Sequence, residues 1–171
     1  KSTVYETYGM TETITHIAAR NLSIGEKEFT VLPGIEIGKR DNCLFIKPNH
    51  LSIEMVQTND VVEFTNKNQF LLIGRRDFII NSGGVKLNPE AIEKKLAKYI
   101  SAEFVISSID HSKFGEVVAL VFKKNVPDDY NKAFTNLSKY EIPKEVLAID
   151  NLPKINGKLN RLKIRNLINH N

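Results

Sequence analysis

Over residues 1–76 the apolar positions come in short bursts, at 29–32, 35–38, 43–47, 61–64 and 70–73. Brief apolar runs rich in β-branched and aromatic residues, bounded by turn formers, mark strands. The boundaries here are Pro33-Gly34, Arg40-Asp41-Asn42, Pro48-Asn49 and Asn66-Lys67-Asn68, residues that favour turns because they preset or tolerate unusual backbone angles. This half predicts a small β-meander or barrel-like unit. After Asp77 the pattern changes. Asn88-Pro89-Glu90 supplies a cap, a proline at the first helical position and an early acid, and Ile92, Leu96 and Tyr99 follow at helical spacing. Strands are predicted at 102–109, 116–122 and 146–149, with helices at 128–138 and from about Asn160. The fold class is therefore α+β: a β-rich piece over 1–76, then a small mixed α/β domain over 77–171, with the boundary between Arg76 and Asp77.

Composition changes this picture little. Of 171 residues, 42% are hydrophobic and 26% charged, which is ordinary for a soluble globular chain, and no apolar run is long enough to span a bilayer. The single Cys43 excludes an intrachain disulfide and reads as a small buried apolar residue. No Cys/His cluster has metal-ligand spacing. The opening Lys1-Ser2-Thr3-Val4-Tyr5-Glu6 lacks an initiator Met and a signal sequence, and reads as internal to a longer, cytoplasmic protein.

Charge is more informative. The net charge is +4, and Lys154, Lys158, Arg161, Lys163 and Arg165 face only Asp150 nearby. Such a cluster attracts anions. It lacks the interleaved aromatics on which bases stack, so a phosphorylated small molecule fits as well as a nucleic acid.

Four segments carry candidate chemistry. Tyr8-Gly9-Met10-Thr11-Glu12-Thr13 gathers a ring that can stack on a base, a hydroxyl for a phosphate oxygen and a carboxylate for a hard cation. A helix start capped by Thr11 explains the same residues. Asp60, read as closing a turn, can accept from both hydroxyls of a ribose, and Arg75 can donate to the sugar and to phosphate. Either is equally at home as a solvated turn residue. Ser82-Gly83-Gly84 permits a left-handed turn or the close approach of a ligand to the backbone; it is not a P-loop, whose Gly-x-x-x-x-Gly-Lys-Ser/Thr pattern is absent. In Pro153-Lys154-Ile155-Asn156-Gly157-Lys158, a lysine on a mobile loop can bring a compact positive charge to a developing phosphorane or a carboxylate, or simply be solvated.

Their order narrows the choice. Tyr-Gly-Met-Thr-Glu-Thr, a downstream Asp, Gly-Arg-x-Asp with Ser-Gly-Gly-x-Lys, then Asn-Gly-Lys near the end, resembles the adenylate-forming superfamily of acyl-CoA synthetases, luciferases and adenylation domains. The resemblance covers essentially the whole chain and begins at the superfamily's nucleotide motif. It implies a two-step reaction in which ATP activates a carboxylate as an acyl adenylate and the thiol of CoA then displaces AMP. By motif match it implies Tyr8 against adenine with Gly9 in the nucleotide site, Thr11 near the α-phosphate, Glu12 on Mg2+, and Asp60 and Arg75 on the ribose. Asp77 matches the hinge of the small domain, and Lys158 the lysine of the adenylation step. Ser82, Gly83 and Gly84 match the channel for the pantetheine arm of CoA, with Lys86 as a further CoA contact. Asn59 and Asn81 stand where members commonly carry Gly and Lys; a left-handed backbone at Asn59 would keep the expected turn.

Within the superfamily, 6–18 and 79–86 are most similar to the o-succinylbenzoate–CoA ligases of menaquinone synthesis. His16 is then a candidate neighbour of the acid, although a lone histidine is commonly a structural hydrogen-bonding residue. Another acyl- or aryl-CoA ligase and a ligase loading a carrier protein are the alternatives, and a non-catalytic phosphate- or nucleic-acid-binding module is the remote one. The expected partners are a small carboxylic acid, ATP and CoA, with no nucleic acid and no membrane span, and homodimerisation left open.

Overall fold

The computed structural model describes residues 2–48 and 55–170. Asn49 of the expected Pro48-Asn49 turn lies outside the described residues. The chain divides into two compact units, Lys1–Arg76 and Asp77–Asn171.

The first unit is one antiparallel sheet. Its strands are β1 (Tyr5–Gly9), β2 (His16–Asn21), β3 (Phe29–Val31), β4 (Ile35–Arg40), β5 (Cys43–Pro48), β6 (Val56–Asn66) and β7 (Gln69–Arg75). They lie in the order β1-β2-β3-β7-β6-β5-β4. Its core is formed by Tyr8, Ile17, Ala18, Phe29, Leu44, Ile46, Val62 and Phe70. Phe29 and Phe70 are register partners whose rings stack at 5.6 Å, so the β3–β7 pairing and the aromatic core reinforce each other. Cys43 is fully buried in this unit, as its type suggests.

β1 and β2 are absent from the sequence reading because the short β1 turns one side chain, Tyr8, into the core and leaves Tyr5 and Thr7 exposed. Two expectations are corrected here. Asp60 does not close a turn: it lies inside β6, opposite Arg75 of β7. Asn59 is extended with it, and no left-handed residue is needed there. Gly9 acts by its lack of a side chain. A Cβ at Gly9 would lie 2.7 Å from His16 Cα and from Thr15 O, so β1 and β2 could not close at their bulge.

The second unit is built around β11 (Gly115–Lys123), after β8 (Ile80–Ser82), β9 (Val85–Leu87), α1 (Pro89–Leu96) and β10 (Phe104–His111), and before β12 (Glu145–Ile149), the hairpin β13 (Lys154–Ile155) and β14 (Lys158–Leu159), and α2 (Arg161–Asn169). β11 pairs antiparallel with β10 and, at Gly115, with β8, and parallel with β12. Val117 to Phe122 are all buried because both faces of the strand are covered. Val118, Leu120 and Phe122 meet Ile92, Leu96 and Ile100 on one side. Ala119 and Val121 meet Ile164 and Ile168 of α2 on the other.

Asn88 caps α1, accepting from Glu90 N at 2.9 Å and Ala91 N at 3.3 Å. Three readings in this unit are corrected. α1 stops at Leu96, and Ile100 rather than Tyr99 completes its apolar stripe; Tyr99 is exposed and donates to Asn136 at 3.1 Å. The helix expected at 128–138 is a 3₁₀ run, Tyr130–Asn136, held by the packing of Tyr130 and Phe134 on the core rather than by α-helical bonds. The loop expected around Lys158 is the β13–β14 hairpin, because Asn156 and Gly157 have φ of 50° and 78°, the left-handed pair that closes a two-residue turn.

Two surface carboxylates on this unit titrate below the ordinary range. Burial alone would raise Glu141, but Lys95 at 2.6 Å and the Ser138 amide at 2.9 Å hold it low. Glu103 is lowered by Lys123 and then by Lys154. A carboxylate lowered on folding contributes stability that is present above its unfolded pKa, about 4.3 for Glu, and is lost as pH falls through the folded value. Thermal unfolding followed by circular dichroism is expected to show the melting temperature dropping below about pH 4.5. Glu141→Gln should lower the melting temperature at neutral pH and flatten that acid limb; an unchanged pH profile would contradict the assignment.

Candidate active site

In the first unit, residues far apart in sequence converge. The Tyr8 hydroxyl donates to Asp60 Oδ2 at 2.5 Å, and Arg75 is the register partner of Asp60 across β6 and β7. Backbone bulges flank the pair at Tyr8/Gly9 and at Val61/Val62, irregularities of the kind that re-aim a side chain beside a site. Thr58, buried, donates its Oγ1 to Leu44 O at 2.8 Å and accepts from Asp60 N at 3.0 Å, which fixes the backbone that presents the carboxylate. Burial first, then the hydrogen bond to Asp60, pushes the Tyr8 phenol far above its ordinary value. Tyr8 is therefore a permanent donor.

The Tyr8 ring has little face to offer: it is 8% exposed and meets Phe70 edge-on at 5.5 Å and Phe29 at 5.9 Å. Beyond it, Thr11–Thr13 is a single 3₁₀ turn. Thr13, not Thr11, does the capping: its Oγ1 donates to Met10 O at 2.9 Å and accepts from Met10 N at 3.2 Å. Thr11 and Glu12 are exposed, with no side-chain hydrogen bond or ion pair among the described residues. The next residue, Ile14, has φ of 65°, an uncommon conformation for a β-branched side chain. His16 is exposed on β2, opposite Gly9.

In the second unit, Asp77 is the first residue, and Ser82 and Val85 bracket a two-residue turn of Gly83 and Gly84 with φ of 56° and 85°. The Gly83 amide donates to Phe114 O at 2.9 Å. Beside this turn lies a groove of about 350 Å³ bordered by Ser82, Gly83, Phe114, Lys139, Tyr140 and Lys144. Lys86, exposed on β9 opposite Asn81, is not among its lining residues. Phe114, Lys139, Tyr140 and Lys144 escaped the sequence reading because nothing local marks them; β11 and the segment before β12 bring them together.

Lys158 opens β14 next to the exposed hairpin tip. The hairpin base is closed by Asn160 N donating to Pro153 O at 2.8 Å, and the Asn160 side chain caps α2 through Lys163 N at 3.1 Å. The basic cluster read from sequence is largely neutralised. Arg161 forks onto Glu93 at 2.8 and 2.6 Å, Arg165 lies 2.5 Å from Glu116, and Lys154 3.0 Å from Glu103. Lys158 and Lys163 remain exposed, with no ion pair among the described residues. Three of the five cations of the cluster are thus paired with acids, and two are exposed.

No family model matches the chain. A 2-succinylbenzoate–CoA ligase of Listeria monocytogenes is 29% identical over 64% of the chain and 25% of its own length. One of Lactococcus lactis is 28% identical over 95% of the chain and 41% of its own length. Among solved structures, the o-succinylbenzoate CoA synthetase of Bacillus subtilis, in complex with an acyl-adenylate intermediate, superimposes with a TM-score of 0.74 at 26% identity, covering 95% of this chain and 41% of that one. The chain thus spans between a quarter and two-fifths of the length of these relatives. In the order of its motifs, the meeting of Tyr8, Asp60 and Arg75 and these likenesses together, the chain is similar over most of its length to one part of the AMP-forming acyl-CoA synthetases.

Proposed function

We propose that this chain is the nucleotide-clamping and lysine-bearing part of an ATP-dependent acid–CoA ligase, and that the acid is o-succinylbenzoate, in menaquinone synthesis. The observation that carries the reading is the convergence of Tyr8, Asp60 and Arg75, drawn from three strands and held by a short hydrogen bond and a register pair. Residues 1–76 are then the β-rich end of the large AMP-binding domain, and residues 77–171 the small mobile domain that turns about Asp77 between the half-reactions.

In the first half-reaction a carboxylate oxygen of the acid attacks the α-phosphorus of ATP, the bond to the β-phosphate oxygen breaks, and pyrophosphate leaves. Asp60, oriented by Tyr8 and Thr58, accepts from the ribose hydroxyls, and Arg75 donates beside it. Thr11 donates to the α-phosphate. Tyr8 serves this site through its hydroxyl, which sets Asp60, and the adenine lies along the Tyr8–Gly9 edge.

Among the described residues no group of three or more His, Cys, Asp or Glu could hold a metal unaided. The lone exposed carboxylate of Glu12 suits Mg2+, which keeps several waters and is shared between one or two carboxylates and substrate phosphates. Mg2+ would arrive with ATP and supply charge neutralisation on the phosphates. Lys158 adds positive charge where negative charge develops, an interaction worth most in the transition state.

In the second half-reaction the CoA thiol gives up its proton to solvent, the sulfur attacks the acyl carbon, the bond from that carbon to the phosphate oxygen of the adenylate breaks, and AMP leaves with the oxygen. The groove beside Ser82, Gly83 and Gly84 takes CoA, with Phe114 and Tyr140 as apolar walls and Lys139 and Lys144 toward its phosphates; Lys86 is the outlying CoA contact. With soluble co-substrates, the reaction belongs in the cytoplasm.

Two outcomes check this reading in the full-length ligase that contains the chain. AMP release from ATP and CoA should occur with o-succinylbenzoate and not with benzoate or a medium-chain fatty acid, and Lys158→Ala should slow acyl-adenylate formation by about 10²–10³-fold. Turnover of a different acid would keep the ligase and discard the pathway, and no acid-dependent AMP with any of them would discard both. Separately, Tyr8→Phe should weaken ATP binding measured by calorimetry and cost about 1.5–3 kcal/mol of stability in urea unfolding, because Asp60 loses its donor in a part-buried site; unchanged affinity would remove Tyr8 from the nucleotide site.

A further inference from the structure

The hairpin that presents Lys158 is slight, two paired residues on each strand, and its tip is exposed. Short two-stranded hairpins hold no shape alone, so the position of the lysine is set by the anchorage of the chain just beyond it. That anchor is Arg161, the first residue of α2, and it is tied down on several sides. Its guanidinium forks onto Glu93 of α1 at 2.8 and 2.6 Å and donates to Ile106 O of β10 at 3.2 Å. Glu93 returns to the same strand residue, accepting from Ile106 N at 2.8 Å. The side chains of Arg161 and Glu93 are 12% and 18% exposed. Burial opposes the charge on Arg161, yet the carboxylate of Glu93 raises its pKa on balance.

The same guanidinium lies 5.8 Å from the centre of the Phe78 ring, and Asp77, Phe78, Ile106 and Arg161 border one small notch. A residue three places after Lys158 is therefore joined to Glu93 by a planar, bidentate and largely buried contact, the kind of bond a guanidinium makes and an ammonium does not, and the same guanidinium lies over the ring of the residue after Asp77. We propose that Arg161 is a positioning residue for adenylation, and that with Glu93 and Phe78 it locks the Lys158 hairpin to the hinge end of the domain, so that rotation about Asp77 delivers the lysine as part of one rigid body.

This inference rests on the ligase reading and assigns a role that the reading does not require. Misplacing a catalytic group by about 1 Å can cost on the order of 10²-fold. A weakened clamp should thus slow the step that uses Lys158 and spare the one that does not.

The test uses the full-length ligase with Arg161→Lys, which keeps the charge and loses the fork, and Glu93→Gln as the second variant. Acyl-adenylate formation and thioester formation from pre-formed acyl adenylate and CoA are timed separately in single turnovers, with thermal unfolding as a control for folding. The expected result for both variants is a fall of about 10–100-fold in the adenylation rate constant at saturating ATP and acid, with the thioester step changed by less than about threefold and KM for ATP held. An equal fall in both half-reactions, or adenylation at the wild-type rate in a variant that unfolds at lower temperature, would overturn the proposal and leave the pair a stability element. A wild-type ligase that makes no acyl adenylate would remove the reading beneath it instead, and the proposal with it.

Discussion

A polar group taken out of water must find a partner, and in this protein the partners lie far along the chain. Tyr8 reaches Asp60 across 52 positions and Arg161 reaches Glu93 across 68. Among the described residues no buried side-chain nitrogen or oxygen lacks a hydrogen bond. Leaving one such group unpaired costs about 1–3 kcal/mol, and more when it is charged, against a total stability of about 5–15 kcal/mol for a typical domain. Satisfying these pairs pins strands and helices whose apolar contacts alone would tolerate sliding.

The same constraint separates groups held by partners from groups left exposed. In the turn after β1, Thr13 takes the capping bonds and is fully buried, which leaves Thr11 and Glu12 facing solvent. In the second unit Arg161, Arg165 and Lys154 are held by acids, and Lys158 stays exposed. Arg161 is committed to a largely buried partner, whereas the Lys154–Glu103 pair is on the surface and Lys158 has no ion pair among the described residues.

Glycine enters this arrangement in two ways. At Gly9 the requirement is proximity, since any side chain would strike the backbone of Thr15 and His16. At Gly83 and Gly84 it is conformation: both have positive φ, which lets β8 return directly as β9 and leaves the turn at the border of the groove. Gly9 is thus a packing requirement, and the paired glycines are the ones whose backbone conformation is used.

Much of the fold was legible because its signals are local. Apolar bursts between turn formers marked β3, β4, β5 and the cores of β6 and β7, Asn88-Pro89 marked the start of α1, and the run over 116–122 marked a strand. The order of the motifs carried the resemblance to the adenylate-forming superfamily. Only the tertiary structure decided that Asp60 lies inside a strand, that Thr13 rather than Thr11 caps the turn, that residues 130–136 coil as 3₁₀, and that most of the basic cluster is already paired with acids. The Thr13 cap is local, to Met10 and Thr15, but either threonine of the motif could have made it; the strand pairing of Asp60 and the neutralised charges depend on partners distant in sequence, whereas propensity and periodicity sample neighbours along the chain.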